Sequence, residues 1–329
     1  MSLFPQLRMR RKRRANWSRR LVRENRLSVD DLVLTTIITD SETPETPVPS
    51  LPGVSRLNLD ALVKQAKEAA ELGIPAIALF PHIDPSIKDN TGNEALNADG
   101  LVPHAIRRLK AEVPEIGVIV DVALDPFTDH GHDGVLKGDI IDNDDTLEQL
   151  GKASIILAEA GADIVAPSDM MDGRVGVIRS ALDDANFQDV MILSYAAKYA
   201  SAFYGPYRDA IGTSAALRGD KRTYQMDPAN TEEALHEVSL DLDEGADMVM
   251  IKPGLAYLDI CHRIKAEFGV PTFAFQVSGE YAMIGAAAEN GWIDGDRVYL
   301  ESLLAFKRAG CDAILTYGAI RASKLMQEG

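Results

Sequence analysis

Three times in this chain a short glycine-containing segment separates a helical pattern from an apolar run: Glu159-Ala-Gly-Ala-Asp163, Glu244-Gly-Ala-Asp247 and Ala309-Gly-Cys-Asp312. A glycine at such a point ends a helix in the left-handed conformation, after which the chain enters a buried strand. Repetition of this helix–glycine–strand step requires a fold built from βα units around a parallel sheet. Eight short apolar runs carry the strand signal: Leu32–Thr39, Ala76–Phe80, Val118–Ala123, Ile164–Ser168, Val190–Tyr195, Met248–Ile251, Thr272–Val277 and Ala313–Thr316. Amphipathic stretches lie between them, at Leu59–Leu72, Leu147–Ala160, Thr231–Glu244 and Arg297–Ala309. In the last, Val298, Leu300, Leu303, Leu304 and Phe306 form a broad apolar face.

Eight candidate strands with this recurring punctuation predict a (β/α)8 barrel, the TIM-barrel class of α/β fold, over residues 31–329, preceded by an arm over residues 1–30. The 329 residues suit one barrel of about 250 residues with insertions. A doubly wound open sheet is the alternative, but no Gly-rich dinucleotide fingerprint follows an early strand. The long segments Pro81–Gly100, Asp125–Asn143 and Ala196–Gln225 read as non-helical loops and all follow candidate strands. Barrel chemistry sits on the loops at the carboxyl ends of strands, so these are where a site is expected.

The formal net charge is −16, which argues against general nucleic-acid binding. No apolar run approaches the roughly 18 residues of a membrane helix, and Met1 to Arg23 lacks the apolar core of a secretory signal. Two cysteines, Cys261 and Cys311, stand at no metal-ligand spacing, so neither a disulfide framework nor structural zinc is expected, and a cytoplasmic setting fits. The first 23 residues hold Arg8, Arg10, Arg11, Lys12, Arg13, Arg14, Arg19, Arg20 and Arg23 and no acid. A nucleic-acid or membrane tail, a transit peptide and an arm packing on a neighbouring subunit all suit that composition; attraction to a strongly acidic body favours the arm.

Two lysines stand at strand ends. Lys252 follows Asp247-Met-Val-Met-Ile251 and precedes Pro253, and Lys198 follows the run ending at Tyr195. Burial at a barrel mouth favours the neutral amine, and a second lysine nearby lowers the pKa further. A neutral amine captures a ketone as a Schiff base. Arg208, with Lys221 and Gln225 further along, sits on a Gly- and Pro-shaped aromatic loop and suits a carboxylate. Asp125, Asp129 and Asp133 lie in a carboxylate- and imidazole-rich stretch that suits magnesium, or is an Asp-rich turn without an ion. Asp169 and Asp172 flank Met170-Met171, and Asp172-Gly173 reads equally as a helix start.

The segments Asp121–Thr128, Ala166–Arg174, Ser194–Arg208, Tyr224–Asn230, Met250–Gly254, Gln276–Tyr281 and Leu315–Gly318 together resemble the porphobilinogen synthases, in order and in register from about Arg19 onward. The resemblance implies a barrel with an amino-terminal arm, assembled as a homo-octamer, with a hexamer as the alternative. It implies condensation of two molecules of 5-aminolevulinate through Schiff bases on Lys198 and Lys252. Arg208, Lys221 and Gln225 then match the groups holding one carboxylate, Ser278 and Tyr317 those holding the other, and Asp121 and Ser168 contacts to the first substrate's amine side. Zinc-using members carry three cysteines where this chain has Ala123, Asp125 and Asp133. The resemblance is therefore to the zinc-free, aspartate-rich branch, in which magnesium (Mg2+) is bound allosterically at the position of Glu237, with Asp125 and Asp133 as candidate ligands of an active-site cation. The loop after Val122 reads as a lid. A class I aldolase-like barrel with one Schiff-base lysine and a non-catalytic barrel scaffold are the competing readings. The second lysine and the paired carboxylate sites speak against both.

Overall fold

A computed structural model describes residues 3–213, 217 and 219–328. The barrel strands are β1 (Leu32–Thr39), β2 (Ala76–His82), β3 (Gly117–Val122), β4 (Ile164–Pro167), β5 (Met191–Lys198), β6 (Met248–Lys252), β7 (Thr272–Phe275) and β8 (Ala313–Thr316). Each pairs in parallel with the next, and β8 closes on β1 through Leu32↔Ile314, Val33↔Leu315 and Leu34↔Thr316. A small antiparallel hairpin, Glu45–Pro47 with Ser55–Leu57, extends the sheet beyond β1.

The repeated punctuation has a mechanical role. Gly161, Gly245 and Gly310 have φ of 104°, 107° and 107°, the left-handed conformation that stops a helix. Two residues on, Asp163, Asp247 and Asp312 each accept a hydrogen bond from a backbone N–H at the start of the preceding strand. The donors are Val118 at 2.8 Å, Ile192 at 2.7 Å and Thr272 at 2.7 Å. Each aspartate thus ties the entry of one strand to its neighbour, at the end of the barrel opposite the carboxyl-terminal mouth.

The core lies between strands and helices. Every residue of β1 is buried, and on the helix Gly295–Ala309 Tyr299, Leu303 and Phe306 are fully sealed. Burying such side chains stabilises the fold by about 1.5–3 kcal/mol each. β1 and β8 have the bounds predicted. β5 is longer than predicted and carries Lys198 as its last residue instead of leaving it in a loop. The expected loops also hold local order. Asp125–Asn143 contains the hairpin Val135–Lys137 with Ile140–Asp142, turned at Gly138. The segment after β5 contains the helix Gly205–Ala210, begun by Pro206, although residues 214–216 and 218 of that segment lie outside the described residues. A proline in the first turn loses no helical hydrogen bond and presets φ, which makes it a helix start.

Of the arm, residues 1 and 2 lie outside the described residues. The remainder forms the turns Met9–Arg13 and Asn16–Leu21, neither of which buries a residue. Leu3, Phe4, Leu7, Trp17 and Leu21 are all exposed. Among the described residues no helix is long and apolar enough to cross a membrane.

Candidate active site

Lys198 and Lys252 are neighbours across the barrel mouth. They end β5 and β6, are register partners, and are each 4% exposed. The Lys252 ammonium nitrogen faces five aromatic rings: Phe275 at 4.8 Å, Tyr195 and Tyr207 at 5.0 Å, Tyr204 at 5.7 Å and Phe80 at 5.8 Å from their centroids. Burial, followed by repulsion from Lys198, lowers the Lys252 pKa to about 7, against the pull of Asp121, Asp125 and Asp133. A large fraction of this amine is therefore neutral near pH 7 and nucleophilic. Lys198 stands in polar company instead, donating to the Ser168 carbonyl and lying 3.6 Å from Asp133.

The two aspartates of the β3 loop converge with Lys221. Its ammonium lies 3.3 Å from Asp125 and 3.2 Å from Asp133, all three side chains being buried. Desolvation works against the charge on Asp133, but Lys198 and Lys221 outweigh it and hold its pKa at about 2. Asp125 goes the other way, since burial raises its pKa more than Lys221 lowers it. Asp121 is also pushed up, to about 6, by burial, and one of its carboxylate oxygens is sealed without a hydrogen-bond partner. Tyr224 stitches the loops together: its hydroxyl accepts from the Asp133 backbone N–H at 3.3 Å and lies 3.0 Å from His132 Nδ1.

The residues matched to carboxylate binding fall in two places. Gln225 is buried one turn from Lys221, its N–H donating to the Lys221 carbonyl at 2.9 Å. Ser278 is buried at the start of the helix Ser278–Glu289, where free N–H groups favour anions. Its hydroxyl accepts from Tyr207 N at 2.8 Å, which links it to the helix carrying Arg208, itself half-buried. Tyr317 packs against Phe275 at 6.2 Å between centroids, and its buried hydroxyl has no partner. Ser168, one residue past β4, is buried and offers its carbonyl to Lys198.

Glu237 belongs to a separate cleft that meets these groups at Gln225 and Tyr224. It is half-buried on the helix Glu232–Asp243 and lines a cleft of about 670 Å³ with Asp172, Glu233 and Gln225. Burial raises its pKa despite the nearby Arg174. Asp125 and Asp133 are engaged by Lys221, and among the described residues no three His, Cys, Asp or Glu side chains converge as a metal cage.

Three features were not foreseen from sequence. One is the aromatic enclosure of Lys252, whose five rings come from four separate segments. The second is the Lys221 pairing, which spans 96 residues to Asp125 and 88 to Asp133. The third is a sealed network in which Arg174 lies 3.0 Å from Asp241 and 3.2 Å from Ser194 Oγ, and 3.9 Å from Asp169. Burial lifts the Asp169 pKa to about 7. Arg174 opens a helix in the sequence, and nothing local distinguishes it from a solvated rim charge.

A closed parallel (β/α)8 barrel with two buried lysines in register at its mouth defines a barrel enzyme of carbonyl chemistry. The family described as delta-aminolevulinic acid dehydratase matches residues 6–325. The delta-aminolevulinic acid dehydratase of Bradyrhizobium diazoefficiens is 59% identical, over 98% of this chain and 92% of that protein. That of Rhodobacter capsulatus is 52% identical, over 98% and 97%. The solved structure of the Toxoplasma gondii ME49 delta-aminolevulinic acid dehydratase (porphobilinogen synthase), in complex with the reaction product porphobilinogen, superposes with a TM-score of 0.97 at 47% identity, over 99% of this chain and 93% of that one. This chain belongs to the delta-aminolevulinic acid dehydratase family.

Proposed function

We infer that the chain is a hydro-lyase that condenses two molecules of 5-aminolevulinate into porphobilinogen, releasing two waters, with one Schiff base on each of Lys198 and Lys252. The observation that carries this reading is the register pairing of two buried lysines at one barrel mouth, one of them with a pKa near 7. Each amine attacks a substrate ketone and expels water, which leaves an electrophilic imine that also tautomerises to an enamine. One carbon–carbon and one carbon–nitrogen bond then join the substrates. Ring closure and proton loss aromatise the product and return both lysines as free amines, so the balance is two waters lost. Holding both substrates at one mouth supplies effective molarities on the order of 10⁵ M or more.

Asp121, raised to about 6, is suited to exchanging a proton near neutrality, and with Ser168 it faces the amine side of the first substrate. One carboxylate is held by Arg208, Lys221 and Gln225, the other by Ser278 and Tyr317. The helix start at Ser278 and the unpartnered Tyr317 hydroxyl support the second assignment. The loop after β3 acts as the lid, supported by its links through Lys221 and Tyr224 to the loop after β5.

The zinc-free branch is supported by Ala123, Asp125 and Asp133 in place of cysteines. Cys261 and Cys311 are buried and free, and Cys311 precedes β8 at the far end of the barrel. Magnesium suits the Glu237 cleft, because it binds through one or two carboxylates and keeps several waters. Glu237, with Asp172 or Glu233, would hold it there, and when bound it supplies positive charge to an acidic cleft. At the active site Lys221 already pairs with Asp125 and Asp133, and Lys198 with Asp133, so a cation held by the two aspartates shares that position with an ammonium. The uncovered apolar residues of the arm and its run of arginines support an arm that packs on another acidic copy of the chain in a homo-octamer.

Incubation with 5-aminolevulinate followed by borohydride tests the reading, because reduction fixes each imine as a secondary amine. Mass shifts on peptides containing Lys198 and Lys252, together with pyrrole colour in Ehrlich reagent, are expected. An unshifted mass with pyrrole still formed rules out the imine route.

A further inference from the structure

Thr35 carries a hydroxyl for which the fold provides no use. It lies on β1, is 3% exposed, and its Oγ1 has no hydrogen-bond partner. Leaving a buried hydroxyl unpaired costs free energy, and such a group survives where a ligand completes it.

The sheet register tells which way Thr35 faces. Leu34 is the partner of Thr316, so Thr35 stands one step on, beside Tyr317. Thr316 points outward: its Oγ1 lies 2.6 Å from the hydroxyl of Tyr299, on the helix Gly295–Ala309. Thr36 also points outward, donating to Gln65 of the helix Leu59–Glu71 at 2.9 Å. Successive side chains of a strand alternate between faces, so Thr35 shares the inner side of the sheet with Tyr317. Both residues line one cavity of about 220 Å³, which is walled also by Gly53 and Val54 and by Lys64, Gln65 and Glu68 of the helix Leu59–Glu71. The Tyr317 hydroxyl is buried and unpartnered as well. Two sealed, unpaired hydroxyls thus meet at a single cavity.

We propose that the Thr35 hydroxyl is a third anchor, beside Tyr317 and Ser278, for one substrate carboxylate. The inference rests on the assignment of that carboxylate to Ser278 and Tyr317. An ionised carboxylate accepts about four hydrogen bonds and donates none, so hydroxyl donors are chemically matched to it. Ser278 fits the same role: its Oγ accepts from Tyr207 N at 2.8 Å and gives its own proton only to a long 3.4 Å contact with the Phe203 carbonyl, which a carboxylate can replace. Thr35 acts here as a positioning group, touching the carboxylate and not the reacting carbons.

The test is steady-state turnover of 5-aminolevulinate, read as pyrrole, with thermal melting of the ligand-free protein, for Thr35→Val, Thr35→Ser, Tyr317→Phe and Ser278→Ala. A hydrogen bond to a charged group corresponds to about a tenfold change in affinity or more. Thr35→Val should raise KM about tenfold with kcat within about twofold. Its melting temperature should hold or rise, because an unpaired buried hydroxyl has been replaced by a methyl group of the same shape. Thr35→Ser should keep the native KM. A native KM in Thr35→Val, while Tyr317→Phe raises it, overturns the proposal and leaves the carboxylate assignment standing. Native KM in Tyr317→Phe and Ser278→Ala defeats that assignment itself. A Thr35→Val protein that melts lower with KM unchanged makes the hydroxyl structural and also overturns the proposal.

Discussion

Lys198 and Lys252 face each other because the ladder between β5 and β6 is irregular. Ser194 pairs with Val249, but Ala197 pairs with Ile251, so β5 spends one residue more than β6 over the same span. Without that extra residue Lys252 would stand beside Ala197, and Lys198 would have no partner in β6. A one-residue slip moves a side chain to the opposite face of a sheet, so the bulge is what lets two amines share one cavity. Bulges recur beside active sites for this reason, since they re-aim a side chain without disturbing the strands around it.

The depressed Lys252 pKa has two readable consequences. Its amine is charged below pH 7, so kcat/KM should fall about tenfold per pH unit on the acid side of a midpoint near 7. For stability the folded pKa lies below the unfolded value of 10.5, so the unfolded chain holds more protons between about 7 and 10.5. The cost of Lys252 is complete below pH 7 and fades as pH rises toward 10.5. Lys252→Met should therefore abolish pyrrole formation while raising the urea midpoint measured at pH 6. A lowered midpoint there would contradict a desolvated amine.

Lys221 holds two buried carboxylates, and removing it leaves Asp125 without an ion pair and Asp133 with Lys198 alone. Lys221→Met should destabilise the protein by about 3–5 kcal/mol in urea unfolding at pH 7, whereas Lys221→Arg retains most of the stability. Asp133 supplies the pH signature. Its folded pKa of about 2 lies below its ordinary 3.8, so its contribution is present above pH 3.8 and is lost as pH falls toward 2. Asp133→Asn should remove that acid-limb loss from the stability profile. Unchanged profiles would mean that the Lys221 cluster contributes no net pairing.

Gly279 allows close contact between two segments of the site. A Cβ there would stand 2.5 Å from the Phe203 carbonyl oxygen and 2.9 Å from its Cα, both backbone atoms with no side-chain freedom. Phe203 leads directly into the helix carrying Tyr207 and Arg208. Gly279→Ala should push that segment away from Ser278 and lower kcat/KM at least about tenfold, since small misplacements of positioning groups are costly. The loss should appear chiefly in KM, with melting changed far less than activity. Native kinetics would show that the segment yields freely.

Much of this was legible in the chain because periodicity and punctuation are local signals. All eight strands follow from apolar runs, and the Gly-x-Asp phrases mark three of their entries. The apolar run ends β5 at Tyr195, because Ala196-Ala197 carries little strand preference, whereas in the fold the strand runs on to Lys198. The lysines and Ser278, Tyr317 and Asp121 were accessible as strand-end residues within recognisable motifs. The partners of Lys221 and Arg174 were not, because Asp125, Asp133 and Asp241 reach them across 96, 88 and 67 residues, and only the closed barrel decides such pairs. Glu237 has an ordinary helical spacing, and its half-burial depends on loops that pack beside it.

Magnesium should act through Glu237 and not through the lysines. The Glu237 carboxyl is raised by burial, so in the absence of metal it is harder to ionise than an exposed glutamate, and metal and proton compete for it. Activity titrated with magnesium after chelation should rise in the native chain, with the half-activating concentration increasing as pH is lowered. Glu237→Ala should keep a basal rate of pyrrole formation and lose the magnesium response, because none of the groups around Lys198 and Lys252 is altered. Glu237→Gln, which preserves shape without charge, should behave like the alanine variant. Equal magnesium dependence in the native chain and both variants would move the metal away from this cleft, and the Asp125–Asp133 pair would then be the next place to titrate.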